Sequence, residues 1–356
     1  MITPVTPLLF IVLSLISSPT STPAPIPPGT ADAWLWQREH ADVDAVARFA
    51  EFSSGRLHVL AVDDGFVQHD PRLVAALRAA RTPTILTVRL SRLGDVAVVV
   101  DTVAWWRARG VDVRAVEIDH DCGTASLAAY ATWLTTAKQA LSTTTTTTTT
   151  TTPLAITALP AWWAHPDHAA VLAAVDDVTV QLHAIRAPAL FDVDDALRFV
   201  RAHPTLRVAL PTYAVTLKNG TPIFAVADDV ARLRAVAVQV AWFRLPTRTD
   251  VTAWSWPTLR AVDAGPVVVT PLSVELVSQP DGAVDIVVVN SGAVDVPLSP
   301  VLVAGALVVD VVVGFRLSGG AHISATQARY VAPGARVVVG WARAVRGGAV
   351  HATLER

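Results

Sequence analysis

From Ala33 onward the chain alternates short β-rich apolar runs with segments of helical periodicity. The runs are Ala33–Glu39, Arg56–Asp64, Pro83–Ser91, Val113–Asp121, Leu154–Trp162, Val178–Ile185, Arg207–Val215 and Ala237–Pro246. Between them lie helical stretches such as "DPRLVAALRAAR", "DVAVVVDTVAWWRARG" and "SLAAYATWLTTAKQAL", several opened by Asp or Ser, the residues that cap helix N-termini. Eight strands each followed by a helix, within residues 31–263, predict a (β/α)8 barrel, with a doubly wound open sheet as the fallback. After about Ala264 the helices stop. Residues 264–356 read as strand after strand with turns at "PDG", "NSG" and "SGG", which predicts a small all-β sandwich that either packs on the barrel or binds carbohydrate.

Two segments break the pattern. "STTTTTTTTTTP", Ser142 to Pro153, has no apolar face to bury and is expected to be a disordered surface loop on the barrel face opposite the active site. Residues 1–30 read as a signal peptide, "PLLFIVLSLISS", and a Pro-rich tether, "PTSTPAPIPPG". Export is therefore expected, to the periplasm, the cell surface or the medium; a mis-assigned start or a retained anchor are the alternatives. In the body of the chain the 52% hydrophobic content is mostly Ala and Val interrupted by Asp and Arg. No stretch approaches the roughly 20 apolar residues of a membrane span.

Charge and cysteine content narrow the partners. A net charge of −2 gives no electrostatic reason to expect nucleic acid. The lone Cys122 allows no intrachain disulfide. A monomer without cofactor is expected, since no Gly-rich phosphate loop occurs in a strand-to-helix context.

Candidate chemistry is concentrated in "VRAVEIDHDCG", Val113 to Gly123. Side chains on a barrel strand alternate between lumen and helix layer, and reactive groups gather at strand C-termini. Val116 and Ile118 suit the helix layer, which directs Glu117, Asp119 and Asp121 into the lumen at steps of about 6.6 Å. Carboxylates so close need cations, hydrogen-bond donors or a retained proton, and a retained proton is what general acid catalysis requires. The competing structural role is a salt-bridge layer in which Glu117 and Asp119 pair with Arg38 and Arg89. Other strand ends supply Trp36, Gln37 and Arg38, Asp63 and Asp64, Arg89, Gln181 and His183, Thr212 and Tyr213, and Trp242 and Arg244, with Trp162 and Trp163 extending the rim. Of these, Trp36, Arg38, Asp64, Arg89, Trp162, Gln181, His183, Tyr213 and Trp242 are expected to bind substrate. Aromatic faces with carboxylates, Gln and Arg suit a polysaccharide or oligosaccharide. A divalent metal on Asp119, His120, Asp121, His165, His168 and His183 is the competing chemistry, but His120 has the wrong parity and no metal is expected.

The motifs "VEIDHDC", "LAAYATWL", "LAITALPAWW", "DVTVQLHAI", "LFDVDDALRFV" and "RVALPTY", with "WLWQR" near the start, resemble a family of bacterial, usually exported proteins of unknown function. The resemblance runs from Trp34 to Trp256 and implies a glycoside-hydrolase-like barrel, with no established reaction. A weaker likeness is to family 18 glycoside hydrolases of the chitinase type, whose fourth strand ends in acidic residues at alternate positions. That likeness implies Asp121 at the position of the general acid, where the family carries Glu. Val113 and Arg114 stand where its upstream acidic motif would begin. An exported glycan-binding protein that hydrolyses glycosidic bonds is thus the leading expectation, and a non-catalytic binding or scaffold protein on a degenerate barrel the alternative.

Overall fold

A computed structural model of the chain describes residues 27–36, 42–143, 151–183, 189–248, 250–319 and 321–355. The expected signal peptide, Arg38 and most of the poly-Thr run lie outside the described residues.

Eight parallel strands form a closed ring. They are β1 (Asp32–Leu35), β2 (Leu57–Asp63), β3 (Thr84–Arg89), β4 (Val113–Asp119), β5 (Leu154–Ala158), β6 (Asp177–Gln181), β7 (Arg207–Pro211) and β8 (Gln239–Phe243). Each pairs with its sequence neighbour, and β1 pairs with both β2 and β8, which closes the barrel. Eight helices cover it: α1 (Val43–Phe52), α2 (Pro71–Ala80), α3 (Ala97–Ala108), α4 (Leu127–Thr143), α5 (His168–Ala173), α6 (Val193–Ala202), α7 (Ala227–Arg234) and α8 (Trp256–Ala264). The expected TIM barrel is therefore present, and the open-sheet alternative is excluded by the β1–β2 pairing. Its strands end earlier than their apolar runs, so the polar residues beyond each end lie on the loops of the C-terminal face.

Local sequence explains the helix starts. Asp42, Asp70 and Asp192 each accept a backbone N–H of the first turn, and Pro71 follows Asp70 at the first helical position, where its missing N–H costs nothing. Among the described residues no helix is long and apolar enough to cross a membrane.

The structure corrects the ends of two expected segments. Helix α4 continues through Ser142 and Thr143 rather than breaking at the Thr run. Thr152 at the far end is buried and accepts a hydrogen bond from Arg107 Nη1 at 2.6 Å, so it belongs to the packed barrel. The tether joins the barrel ahead of residue 31. Gly29 N donates to Asp263 Oδ2 at 2.7 Å, and Asp263 is held in turn by buried Arg234 at 3.1 Å.

Beyond the barrel lie antiparallel sheets, two of them four-stranded. Ile286, Val288 and Val339 from one share an apolar core with Val301, Val303 and Ile323 from the other. Their junction with the barrel is polar and buried. Asp295 Oδ2 accepts from Ser255 N at 2.6 Å and Ser255 Oγ at 2.9 Å, directly ahead of α8, while Thr258 Oγ1 accepts from Asp295 N at 2.6 Å. Tyr330 donates its hydroxyl to the Ala225 carbonyl at 2.9 Å.

Candidate active site

Strand parity on β4 builds the site. Val116 and Ile118 are fully buried in the layer between sheet and helices, whereas Glu117 and Asp119 project into the lumen. Beyond the strand end Asp121 stands exposed on the wall of an open bowl of about 530 Å³ at the C-terminal face. The three carboxylates thus occupy three different environments.

At the bottom, Glu117 is fully buried. Its Oε1 accepts from Trp34 Nε1 at 2.9 Å and Thr87 Oγ1 at 3.0 Å and faces His58 Nδ1 at 3.1 Å. His58 also lies 3.6 Å from Asp32 on the far side. Burial opposes its charge, but the two flanking carboxylates outweigh burial and raise its pKa, which favours the protonated ring between them. Below it Asp32 and Asp177 are bridged by Arg56 and Arg207. A polar layer therefore fills the lumen, but it is built on Arg56, His58 and Arg207 and not on the expected Arg38, which lies outside the described residues, and Arg89, which stands beside Asp119; Glu117 belongs to this layer and does not line the bowl.

Asp119 is the transition to the bowl. Its Oδ1 accepts from Thr157 Oγ1 at 2.6 Å and Gln181 Nε2 at 3.0 Å, and its Oδ2 lies 3.8 Å from Arg89 Nε. Burial drives this carboxyl up to about 7, and the charges of Asp121 and Glu117 push the same way against Thr157 and Arg89. Burial also raises Asp121, with Arg89 and His120 pulling against it. Gln181 Nε2 reaches Asp121 Oδ1 at 3.5 Å, so one amide nitrogen bridges both acids.

Aromatic rings make the remaining walls. Trp36 packs on Phe243 at 5.2 Å between ring centroids; Phe243 is also stacked at 5.0 Å on His183, whose imidazole meets the Tyr213 ring edge-on at 5.7 Å. Burial lowers His183 to about 4, so its imidazole is neutral at physiological pH, and its Nδ1 has no hydrogen-bond partner among the described residues. Burial raises Tyr213 to about 12, which keeps the phenol protonated.

The expected residues divide accordingly. Asp119, Asp121, Trp36, Arg89, Gln181, His183 and Tyr213 all line the bowl. Besides Glu117, three others do not. Trp242 is fully buried in the helix layer, because β8 points Ala241 and Phe243 inward instead. Trp162 is also buried: its Nε1 donates to the Cys122 carbonyl at 3.1 Å, which braces the loop that carries Asp121. Asp64 forms the tight turn with Gly65, at φ values of 49° and 88°, and accepts the Ser91 backbone N–H. Trp34, Thr157 and Phe243 line the bowl and were not anticipated. Trp34 and Thr157 could have been found by carrying the β4 parity across the paired strands.

The histidines considered for a metal do not converge. His120 bonds the Leu90 carbonyl at 2.7 Å and faces Tyr130, as its parity requires, while His168 Nδ1 lies against the His165 carbonyl at 2.7 Å. Among the described residues no group of three or more metal-ligating side chains is assembled.

Residues 81–239 match a family model described as a domain of unknown function, DUF3142, as the motifs from β4 to β7 lead one to expect. No curated protein matches the chain. Among solved structures, the spore cortex-lytic enzyme SleL of Bacillus cereus is similar at 11% identity and a TM-score of 0.45, over 68% of this chain and 75% of that one. Active domain 2 of the thermostable chitinase of Pyrococcus furiosus is similar at 10% identity and a TM-score of 0.42, over 62% and 85%. A family 18 N-acetylglucosaminidase of Paenibacillus barengoltzii is similar at 13% identity and a TM-score of 0.38, over 54% and 72%. The roles of residues in this chain rest on its own geometry.

Proposed function

We propose that this protein is an exported glycan-binding protein that hydrolyses glycosidic bonds in the bowl at the C-terminal face of its barrel. The observation that carries the reading is the open, aromatic-walled bowl with Asp121 exposed in it and Asp119, raised to about 7, beneath. Rings that stack on sugar faces and acids that hold a proton near neutral pH are the two requirements of such a site. Export is supported by the N-terminal apolar run alone. The C-terminal sheets are read as a small β-sandwich domain whose role is to brace the barrel, supported by their shared core and the Asp295 junction.

Asp121 serves as the general acid and Asp119 tunes it. Two-carboxylate hydrolysis needs acids facing each other across the scissile bond. Among the described residues, the carboxylates that line the bowl both come from the end of β4. This favours assistance by the substrate, in a sugar with a 2-acylamino group. Asp121 gives its proton to the glycosidic oxygen as the C1–O bond breaks, and the acyl oxygen of the substrate closes on C1. Water then opens that ring and returns a proton to Asp121. Gln181 and Tyr213 position the acyl group, and Trp36 and Phe243 stack on the ring.

Non-catalytic binding is the second reading, favoured by Asp121, one methylene shorter than the Glu that the chitinase-type likeness implies there. Screening the full chain against polysaccharides and chromogenic glycosides, beside Asp121→Asn, separates the two. Turnover that is lost in Asp121→Asn while binding persists supports the enzyme. Binding without turnover in the wild type supports the second reading, and turnover undiminished in Asp121→Asn removes Asp121 from the mechanism.

A further inference from the structure

The bowl is electrically divided. Among the described residues its acids come from the end of β4, whereas Arg244 directly follows β8, four places away in either direction around the ring of eight strands. Arg89, the other cation lining the bowl among the described residues, stands next to the acids and is engaged by them, 3.0 Å from Asp63 and 3.8 Å from both Asp64 and Asp119. Arg244 is held differently. Its Nε donates to Asp250 Oδ2, its Nη2 donates to Thr252 Oγ1 at 2.9 Å, and Thr252 Oγ1 closes the loop by donating to Asp250 Oδ1 at 2.7 Å. The Tyr213 ring lies 5.3 Å from the guanidinium carbon. Nη1 has no hydrogen bond among the described residues, and the side chain is 22% exposed on the wall of the bowl.

A guanidinium fixed along one edge and left with an uncommitted amino group at a concave wall is preorganised for an oxyanion. On the opposite wall Arg89 is already engaged by carboxylates, so a ligand that carries an oxyanion is oriented toward Arg244. We infer that the bowl takes an acidic glycan, whose carboxylate lies against Arg244 while its glycosidic oxygen lies against Asp121. This rests on the glycan-hydrolase reading above and names the substrate class. The carboxylate can belong to a uronic acid or to a lactyl ether on an amino sugar; both present the same group to Arg244.

Two matched pairs of probes test it on the full chain: a hyaluronan hexasaccharide and peptide-free peptidoglycan strands, each against its carboxyl-reduced counterpart. Calorimetric titration of wild type is expected to show at least tenfold tighter binding of the acidic member of one pair, and that pair identifies the source of the carboxylate. Arg244→Gln is expected to bring the ratio to within about twofold of one, and Arg244→Lys, which keeps charge without the fork, to leave an intermediate ratio. Circular dichroism of each variant reports folding. Equal binding within both pairs, or a preference that survives in folded Arg244→Gln, overturns the inference. Binding of neutral glycans alone overturns it and leaves the hydrolase reading standing, whereas failure of every glycan to bind overturns both.

Discussion

Thr157 donates its hydroxyl to Asp119 across 2.6 Å at the boundary between the packed lumen and the open bowl. The same carboxylate oxygen accepts from Gln181, and both bonds favour the ionised acid. Burial nevertheless prevails and leaves the carboxyl at about 7. The two donors thus fix the orientation of the acid more than its charge.

That balance makes stability depend on pH. Asp119 titrates near 3.8 in the unfolded chain and near 7 in the folded one, so between these values only the folded chain holds the proton. Stability therefore falls as pH rises through this window and levels off above about 7. Asp119→Asn removes the contribution of this acid to the slope. The variant is expected to be more stable than wild type by roughly 2–4 kcal/mol at pH 8, with the difference vanishing near pH 4. Urea titrations at both values measure this, and parallel pH dependences for the two proteins would contradict it.

Neighbouring aromatics on β8 should behave oppositely. Trp242 is buried against the helices, so Trp242→Ala is expected to cost about 3–5 kcal/mol in stability without changing glycan affinity in the folded fraction. Phe243 touches Trp34, Trp36, His183 and Tyr213 in the bowl, and Phe243→Ala is expected to weaken glycan binding at least tenfold. Guanidinium melts paired with calorimetric titrations distinguish them. A binding defect in Trp242→Ala would reverse the assignment.

The junction between barrel and sheets offers a third check. Asp295→Ala leaves the Ser255 amide and hydroxyl at the start of α8 without their acceptor, at an expected cost of about 2–3 kcal/mol. Because the junction is shared, barrel and sheets should lose stability together. Tryptophan fluorescence and far-ultraviolet circular dichroism should give one lowered transition; an unchanged midpoint would show that the contact contributes nothing.

The barrel was legible because period-two and period-3.6 patterns alternate eight times with few interruptions. The acid row was legible for the same reason: Val116 and Ile118 fix the parity of β4, and Glu117 and Asp119 follow from it. The same rule misses Trp242 because aromatic character, which fits either face of a strand, was read as a mark of the bowl. Trp162 misleads in a similar way, since its hydrogen bond to Cys122 depends on how two loops meet, which no local pattern encodes. The basic groups of the lumen were also hidden: Arg56, His58 and Arg207 lie within one residue of the starts of their strands, where polar residues read as ordinary loop edges.

Gly29 and Arg234 meet Asp263 at the end of the barrel where the strands begin. The described chain therefore begins at the pole opposite the bowl. A chain immobilised through exposed Pro28 would hold its mouth outward, and a bulky polymer could reach the acids without first displacing the surface behind them.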